Sequence, residues 1–153
     1  DMKMKFLSPT INLHFQSKDF IRFVNNIEYY LSQELVMRYG ELYPIGRLDD
    51  IEIYFNHYET CKEAVEKWKQ RKERINLDKI LVLITDRDGF NNELFNEFKK
   101  VKYPKLLFTG NENYKFEDSI YYDEFREEGS IGDILSNKKF YKEDKLINLV
   151  NKL

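Results

Sequence analysis

Hydrophobic and polar positions in the first third of the chain predict a strand, a helix and a second short strand. Residues 11–15, Ile-Asn-Leu-His-Phe, alternate apolar and polar side chains, as a half-buried strand does. Apolar residues then recur at helical spacing over residues 18–33, and Ser17 is placed to cap the start of that helix. Residues 35–37 predict a short strand.

The middle of the chain predicts a loop, a strand, a polar corner and a helix. Residues 40–50 contain a proline and a glycine that interrupt regular structure, so we expect a loop there. Apolar and polar residues alternate over residues 51–56, which predicts a strand with one buried face. Thr60 and Glu63 have the spacing of a capping box, so a helix is expected to begin there.

The second half of the chain continues this alternation of strands and helices. Residues 79–85 (KILVLIT) are nearly all apolar, which is typical of a central parallel strand covered on both faces. The other predicted elements are a helix capped by Asn91 or Asn92, strands at residues 105–109 and 119–122, and an amphipathic helix over residues 142–153. Alternating strands and helices predict an α/β fold, a three-layer Rossmann-like domain with a mostly parallel sheet. The length of 153 residues fits a single domain over residues 1–153.

Composition narrows the class of protein. Hydrophobic residues make up 42% of the chain, including 12 Phe and 11 Tyr, which excludes a disordered protein. The formal net charge of −2 gives no general attraction to phosphate backbones, so we expect no nucleic-acid partner. The single cysteine, Cys61, forms no internal disulfide and is compatible with the cytoplasm, where we expect the protein. No apolar run approaches the ~20 residues that span a bilayer, so no transmembrane segment is expected.

Polar side chains follow three of the predicted strands. These polar ends are residues 56–59, 86–89 and 109–112. Ligands of open α/β sheets bind beyond the carboxyl ends of the strands. If the three strands are parallel, their polar ends lie along one edge of the sheet, and this convergence is the main functional signal of the sequence.

His57 is a candidate general acid or base because the reference pKa of histidine is near neutrality. Tyr58 or Glu59 could orient its ring, and Tyr58 could also contact a substrate. The alternative is a histidine that only caps the corner by hydrogen bonds. His14 lies in the middle of a predicted strand, on the face opposite its apolar residues, and we interpret it as structural.

Asp86 and Asp88 form an Asp-x-Asp pattern after a buried strand. Two carboxylates there could hold Mg²⁺ or Mn²⁺, and the metal ion would coordinate a diphosphate. Many nucleotide-sugar transferases use this arrangement. Asp86 could also act in catalysis, or the pair could bind a ribose. The alternative is a turn in which Gly89 supplies a positive φ, and this explanation is favoured because so short a pattern is common by chance. Thr109 and Asn111 would help to shape the pocket.

Several short motifs resemble a bacterial domain family of unknown function (domain of unknown function 1919), often described as exopolysaccharide-biosynthesis proteins. The matches follow in order over residues 8–110. They are Ser8-Pro9-Thr10-Ile11, Asp19-Phe20, Tyr43-Pro44-Ile45-Gly46, Leu48-Asp49-Asp50-Ile51, His57-Tyr58, Glu63-Ala64, Lys67-Trp68, Arg71, Arg74-Ile75-Asn76 and Asp86-Arg87-Asp88. The family is similar in opening with a further strand before the Ser-Pro-Thr segment, so the resemblance implies that this chain lacks an amino-terminal strand of the full-length protein.

The resemblance implies a role in building or modifying surface polysaccharide, without an assigned reaction or catalytic residue. Combined with the polar strand ends, it predicts a transferase acting on sugar or sugar-nucleotide substrates. In this hypothesis His57 is the acid or base. The alternative is a non-catalytic module that binds glycan or a partner enzyme through exposed tyrosines such as Tyr121 and Tyr122. The sequence leaves the sugar, the metal and the oligomeric state open.

Overall fold

The structure is a computed structural model that describes residues 8–10, 12–132 and 142–153. The chain divides into two compact units, Asp1–Leu77 and Asp78–Leu153, and each has its own sheet. The prediction that residues 1–153 form one domain lacking an amino-terminal strand stays a prediction.

The first unit contains an antiparallel sheet and three helices. The helices are α1 (Ser17–Asn25), α2 (Ile27–Ser32) and α3 (Cys61–Lys72). The strands are β1 (Val36–Tyr39), β2 (Pro44–Leu48) and β3 (Ile51–Tyr54), paired in the order β1-β2-β3. The predicted strand at residues 11–15 lies partly outside the described residues, and within them His14 forms only an isolated bridge with Tyr54.

The prediction of a loop over residues 40–50 is wrong because β2 occupies residues 44–48. Pro44 is the first residue of this strand, where a missing N–H is tolerated, and its carbonyl accepts from the Phe55 N–H. Gly46 has no room for a side chain, since a Cβ there would lie 2.6 Å from Leu35 and 2.8 Å from the Phe55 ring. Both apparent breakers therefore fit a strand in this packing.

Two residues, Asp49 and Asp50, connect β2 to β3, since Leu48 pairs with Ile51. Asp49 has a φ of 53°, a left-handed conformation that aspartate tolerates better than most residues. Its carboxylate accepts a hydrogen bond from Tyr29 at 2.6 Å, and the Asp50 carboxylate accepts from Tyr30 at 2.8 Å. The turn is thus tied to α2, and this pair of aspartates has a structural role.

The core of the first unit lies on one face of the sheet. Ile51, Ile53 and Phe55 point to this face and are fully buried. Burying each such side chain contributes about 1.5–3 kcal/mol. The single predicted helix over residues 18–33 is divided into α1 and α2, because Asn26 between them has φ −143°. Ser17 is the first residue of α1 and Gln16 occupies the N-cap position, contrary to the prediction.

The predicted start of α3 is confirmed. The Thr60 hydroxyl accepts a hydrogen bond from the Glu63 N–H at 3.1 Å, which satisfies one of the free donors of the first turn. Ala64 and Trp68 of α3 are buried, and the Trp68 ring lies 6.5 Å from that of Phe23 in α1.

The second unit contains a parallel sheet. Its strands are β4 (Val82–Thr85), β5 (Lys105–Thr109) and β6 (Ser119–Tyr121), paired in the order β4-β5-β6. Its helices are α4 (Asn92–Lys99), α5 (Asp144–Asn151) and two short 3-10 helices, Glu112–Tyr114 and Asp123–Glu128. Asn91 caps α4 as predicted, since its side chain accepts from the Leu94 N–H at 3.0 Å.

Both faces of this parallel sheet carry buried side chains. One face forms a core that includes α5, and its buried members are Leu106, Phe108, Ile131 and Leu146. On the other face the register aligns Val82, Ile84 and Leu107, which are also buried. The nearly unbroken apolar sequence of β4 and β5 follows from this two-sided burial.

The chain therefore has a mixed α/β fold with one antiparallel and one parallel sheet of three strands each. The prediction of a mostly parallel sheet is wrong for the first unit, and the Rossmann-like three-layer arrangement stays a prediction. Within the described ranges, no helix combines the length and the apolar character needed to cross a membrane.

Candidate functional site at the carboxyl edge of the parallel sheet

Strand register brings three polar side chains into one row at the carboxyl edge of the parallel sheet. Thr85 pairs with Phe108, so the next residues, Asp86 and Thr109, lie opposite each other. Thr109 in turn pairs with Tyr121 of β6. Side chains of paired residues project from the same face of a sheet, and Asp86, Thr109 and Tyr121 therefore form the row.

Asp86 is a buried carboxylate, 5% exposed, whose two oxygens accept three hydrogen bonds. Oδ2 accepts from the Thr109 hydroxyl at 2.7 Å and from the Gly110 N–H at 3.1 Å. Oδ1 accepts from the Ile131 N–H at 2.7 Å. A buried carboxylate is stable only with such partners, so Asp86 holds three separate segments of the second unit together.

The segment after β6 crosses the end of β5 and closes this part of the edge. A Cβ at Gly110 would lie 2.8 Å from Cβ of Phe125 and 2.8 Å from the carbonyl carbon of Ser130. A Cβ at Gly132 would lie 2.6 Å from the Phe125 ring. These two glycines allow residues 125–132 to pass closely over the strand end, and the Ile131 N–H then reaches Asp86.

Thr109 and Asn111 form the second part of the network. The Thr109 hydroxyl donates to Asp86 and accepts from the Asn111 N–H at 2.9 Å. The Asn111 side chain accepts from the Asn113 N–H at 3.0 Å and so caps the following 3-10 helix. Thr109 is fully buried and Asn111 is half-buried, so Asn111 is the member of this pair that a ligand could reach.

Asp88 lies on an exposed turn. Asp88 and Gly89 have φ values of 55° and 82°, so the turn that the sequence indicated is present. Its position two residues after Asp86 places a second carboxylate at the same strand end.

The carboxylates fit a metal only in part. Asp86 uses three of its roughly four acceptor positions on protein donors, which leaves little capacity for Mg²⁺ or Mn²⁺. Among the described residues, no group of three or more His, Cys, Asp or Glu side chains is arranged to hold a metal ion. The metal prediction therefore depends on Asp88, and it stays a prediction.

Tyr114 is a neighbour of the site that sequence reasoning missed. Its ring is buried against Phe90 and Phe95, with centroids 5.1 Å from each. Burial and the negative charge of Asp86 raise the pKa of the Tyr114 phenol. Nothing local in the sequence links Tyr114 to Asp86, because the two residues belong to separate segments of the chain.

Neither tyrosine of the proposed glycan surface is a free platform. Tyr122 packs into the core of the second unit and its hydroxyl donates to Glu143 at 2.9 Å. Burial and that hydrogen bond raise the pKa of the Tyr122 phenol. The Lys115 ammonium lies 3.8 Å from the Tyr121 ring centroid, so one face of this ring is already covered.

The comparison with known families agrees with the motifs in the chain. The model of a domain of unknown function, DUF1919, matches residues 1–153. This chain belongs to the DUF1919 family. It is 36% identical over 148 residues to an uncharacterised protein of Haemophilus influenzae, and the match covers 92% of this chain and 72% of that protein. The family resemblance is confirmed, and the role in exopolysaccharide synthesis stays a prediction.

In this DUF1919 chain, the His57 corner belongs to the first unit. It follows β3 of the antiparallel sheet, so the prediction that it shares one parallel-sheet edge with Asp86 and Thr109 is wrong. His57 is exposed, as an acid or base that meets substrate must be. Tyr58 is buried against Phe55, with ring centroids 5.7 Å apart, and the Arg71 guanidinium lies 5.8 Å from its ring centroid. Contacts of this kind are typical of a core residue.

Proposed function

We propose that this DUF1919 protein is a transferase of bacterial surface-polysaccharide biosynthesis that acts on a sugar or sugar-nucleotide substrate in the cytoplasm. The proposed binding site is the rim formed by the loops after β4 and β5. The observation that supports it is the buried Asp86 network, which fixes these two loops side by side at the carboxyl end of a parallel sheet. Ligands of α/β proteins bind at such edges.

The network suggests a division of roles at the rim. Asp86 and Thr109 are buried and satisfied, so in this proposal they are positioning residues. Asp88 and Asn111 lie on the two loops that these positioning residues hold in place, and both side chains are accessible. A carboxylate and an amide are suited to the hydroxyl groups of a ribose or a sugar, because one accepts hydrogen bonds and the other both donates and accepts.

The reaction that fits is transfer of a glycosyl group to an acceptor hydroxyl. The oxygen of that hydroxyl attacks the anomeric carbon of the donor and passes its proton to a general base, the role that the sequence predicts for His57. The bond from that carbon to the nucleoside diphosphate breaks, and the diphosphate leaves with the electron pair. Asp88 would contribute one carboxylate to a bound Mg²⁺ or Mn²⁺, which would supply positive charge beside the diphosphate.

A non-catalytic glycan-binding module is the less supported function. That hypothesis relied on Tyr121 and Tyr122 as stacking surfaces. Tyr122 contributes to the core and Tyr121 is covered on one face by Lys115. Sugar stacking needs an accessible ring face, so these two residues favour the transferase over the module.

The first experiment is a thermal-shift panel of sugar nucleotides, each with and without Mg²⁺ or Mn²⁺. A ligand that binds only the folded state stabilises it by about 2.7 kcal/mol at a concentration of 100 times its Kd, and this stabilisation raises Tm. We expect one donor to raise Tm. Asp88→Asn should weaken that shift, whereas Glu66→Gln on the exposed surface of α3 should leave it intact.

Catalysis is tested separately in the producing strain. His57→Ala should abolish the polysaccharide while the purified variant keeps the wild-type Tm and the donor-induced shift. Unchanged polysaccharide with a folded His57→Ala protein would remove His57 from the mechanism. Absence of a shift with every donor would contradict the sugar-nucleotide site itself.

A further inference from the structure

The two edges of the antiparallel sheet differ in how their backbone groups are satisfied. On the β3 edge, the Glu52 N–H donates to the Asp19 carboxylate at 3.2 Å. The Tyr54 N–H donates to the His14 carbonyl at 2.8 Å, and its carbonyl accepts from the His14 N–H at 2.9 Å. This edge is therefore closed by the amino-terminal part of the unit.

No described residue covers the β1 edge in a comparable way. Just beyond β1, the Gly40 N–H donates to the Tyr43 carbonyl. Because backbone direction alternates along a strand, Arg38 and Val36 also direct their N–H and C=O groups towards β2. Alternation along a strand then directs the N–H and C=O groups of Leu35, Met37 and Tyr39 outwards. Within residues 8–10, 12–132 and 142–153, these outward groups have no hydrogen-bond partner.

Side chains along β1 do not protect this edge. Val36 is 51% exposed and Tyr39 is 67% exposed. Edge strands of monomeric proteins are usually guarded by charged side chains, proline or a bulge. Residues 34–39 contain no proline, β1 pairs with β2 without a bulge, and the two charges, Glu34 and Arg38, are of opposite sign and so do not repel a second copy. Among the described residues, the backbone groups of the β1 edge thus have no partner, and exposed apolar side chains lie beside them, as expected for a strand that pairs with another.

We propose that β1 pairs antiparallel with β1 of a second copy of this chain, joining two three-stranded sheets into one. The proposed two-fold axis passes beside Val36, so Val36 faces Val36 of the second copy. Glu34 then lies opposite Arg38 of the second copy, and the same pair is repeated on the other side of the axis. Leu35 and Met37 form the hydrogen-bonded pairs, as their outward backbone groups require.

Charge and apolar complementarity select this register. An axis at Met37 would also satisfy the outward backbone groups, but it would place exposed Val36 opposite Arg38 and leave Glu34 opposite Gly40. The axis at Val36 instead makes one apolar pair and two oppositely charged pairs across non-hydrogen-bonded positions, where side chains are closest. Arg38 already contacts Glu52 at 2.8 Å, and its guanidinium has donors for a second carboxylate.

Charge reversal tests the register in solution. Sedimentation equilibrium of the whole chain should show a monomer–dimer equilibrium. Glu34→Arg places like charges opposite each other twice per dimer and should raise the dissociation constant about tenfold. The double variant Glu34→Arg/Arg38→Glu restores opposite charges and should recover most of the affinity. Glu66→Arg, an identical charge change on exposed α3, is the matched control and should have no effect.

Cross-linking tests the axis independently of affinity. Residues facing each other in a non-hydrogen-bonded pair have Cα atoms about 4.5 Å apart, within the range of a disulfide. In a Cys61→Ser background, Val36→Cys should form a covalent dimer under mild oxidation. Tyr39→Cys should not, because Tyr39 would face residue 33 and lie roughly 20 Å from its own copy.

Three results would overturn the proposal. One is a monomer at every concentration up to the millimolar range. Another is a dimer that survives both Glu34→Arg and Met37→Pro, which removes an outward N–H while circular dichroism confirms the fold. The third is cross-linking by Tyr39→Cys in preference to Val36→Cys, which would show a different register.

Discussion

At the scale of single residues, the structure separates aspartates that the sequence presents as equivalent. Asp86 and Asp88 share one Asp-x-Asp pattern, yet Asp86 is buried with three donors and Asp88 is exposed. The pattern could not reveal this difference, because the Ile131 N–H that binds Asp86 lies 45 residues away in the chain. Local motifs report residue type, whereas burial is decided by which distant segment covers the site.

Tyr30 gives a residue-scale prediction about alkaline pH. Its hydroxyl donates to Asp50 at 2.8 Å, and burial, followed by this hydrogen bond, raises the pKa of the phenol from 10.0 to about 12. The stabilisation is fully present below pH 10 and is lost as pH rises from about 10 to about 12. Tyr30→Phe should be less stable than wild type by ~1 kcal/mol at pH 8, and this gap should narrow by pH 10.5.

Urea unfolding at pH 8, 9.5 and 10.5 measures that gap. Tyr39→Phe is the control, since Tyr39 is 67% exposed, and its stability difference from wild type should stay near zero throughout. A Tyr30→Phe gap that is constant or that widens with pH would show that the Tyr30–Asp50 bond does not couple folding to ionisation.

At the scale of elements, predictions succeeded where the signal was local. The Thr60–Glu63 cap and the Asn91 cap are confirmed because a cap is made by residues three apart in sequence. β2 was missed because Pro44 and Gly46 are breakers only on average. Here the carbonyl of Pro44 pairs with Phe55, and Leu35, Phe55 and Met37 pack where a side chain at position 46 would lie.

The candidate site could be predicted only in outline for the same reason. Apolar runs correctly identified β4 and β5 as parallel neighbours, which places Asp86 beside Thr109. The alternation of strands and helices predicts parallel order for the His57 strand as well, but a two-residue turn after β2 makes that strand antiparallel. A hairpin can be predicted only when both of its strands are recognised, and Pro44 and Gly46 give β2 the sequence pattern of a loop.

Gly110→Ala tests how tightly residues 125–132 cross β5. The added methyl would lie 2.8 Å from Phe125 and from the Ser130 backbone, and a backbone neighbour cannot move aside by changing rotamer. We expect a loss of about 1–3 kcal/mol in the free energy of unfolding, as for other overpacked sites. The measurement is urea denaturation.

Gly129→Asn is the matched control for Gly110→Ala. Gly129 has φ 69°, a conformation that asparagine accepts, and nothing lies within 4 Å of a Cβ there. Its loss should therefore be clearly smaller than that of Gly110→Ala. Equal losses at the two glycines would mean that the crossing segment is loosely held.

At the scale of the whole molecule, the last prediction concerns whether the two units unfold together or separately. The sequence predicts one domain, and the structure has two compact units with a sheet in each. Among the described residues, the Asp86 side chain accepts hydrogen bonds from the second unit alone, so Asp86→Asn perturbs that unit directly. Whichever oxygen is replaced, the NH₂ group opposes a backbone N–H donor, that of Gly110 or that of Ile131, and this should cost ~2 kcal/mol.

Hydrogen exchange of the Asp86→Asn variant shows which strands lose stability. For amides that exchange by unfolding, ~2 kcal/mol corresponds to roughly 30-fold faster exchange. If the units unfold separately, as we expect from their separate sheets, β4 and β5 accelerate and β2 and β3 do not. Glu127→Gln, on the exposed surface of the second unit, is the control and should change neither set. Equal acceleration of all four strands would instead show that residues 1–153 unfold as the single domain that the sequence predicts.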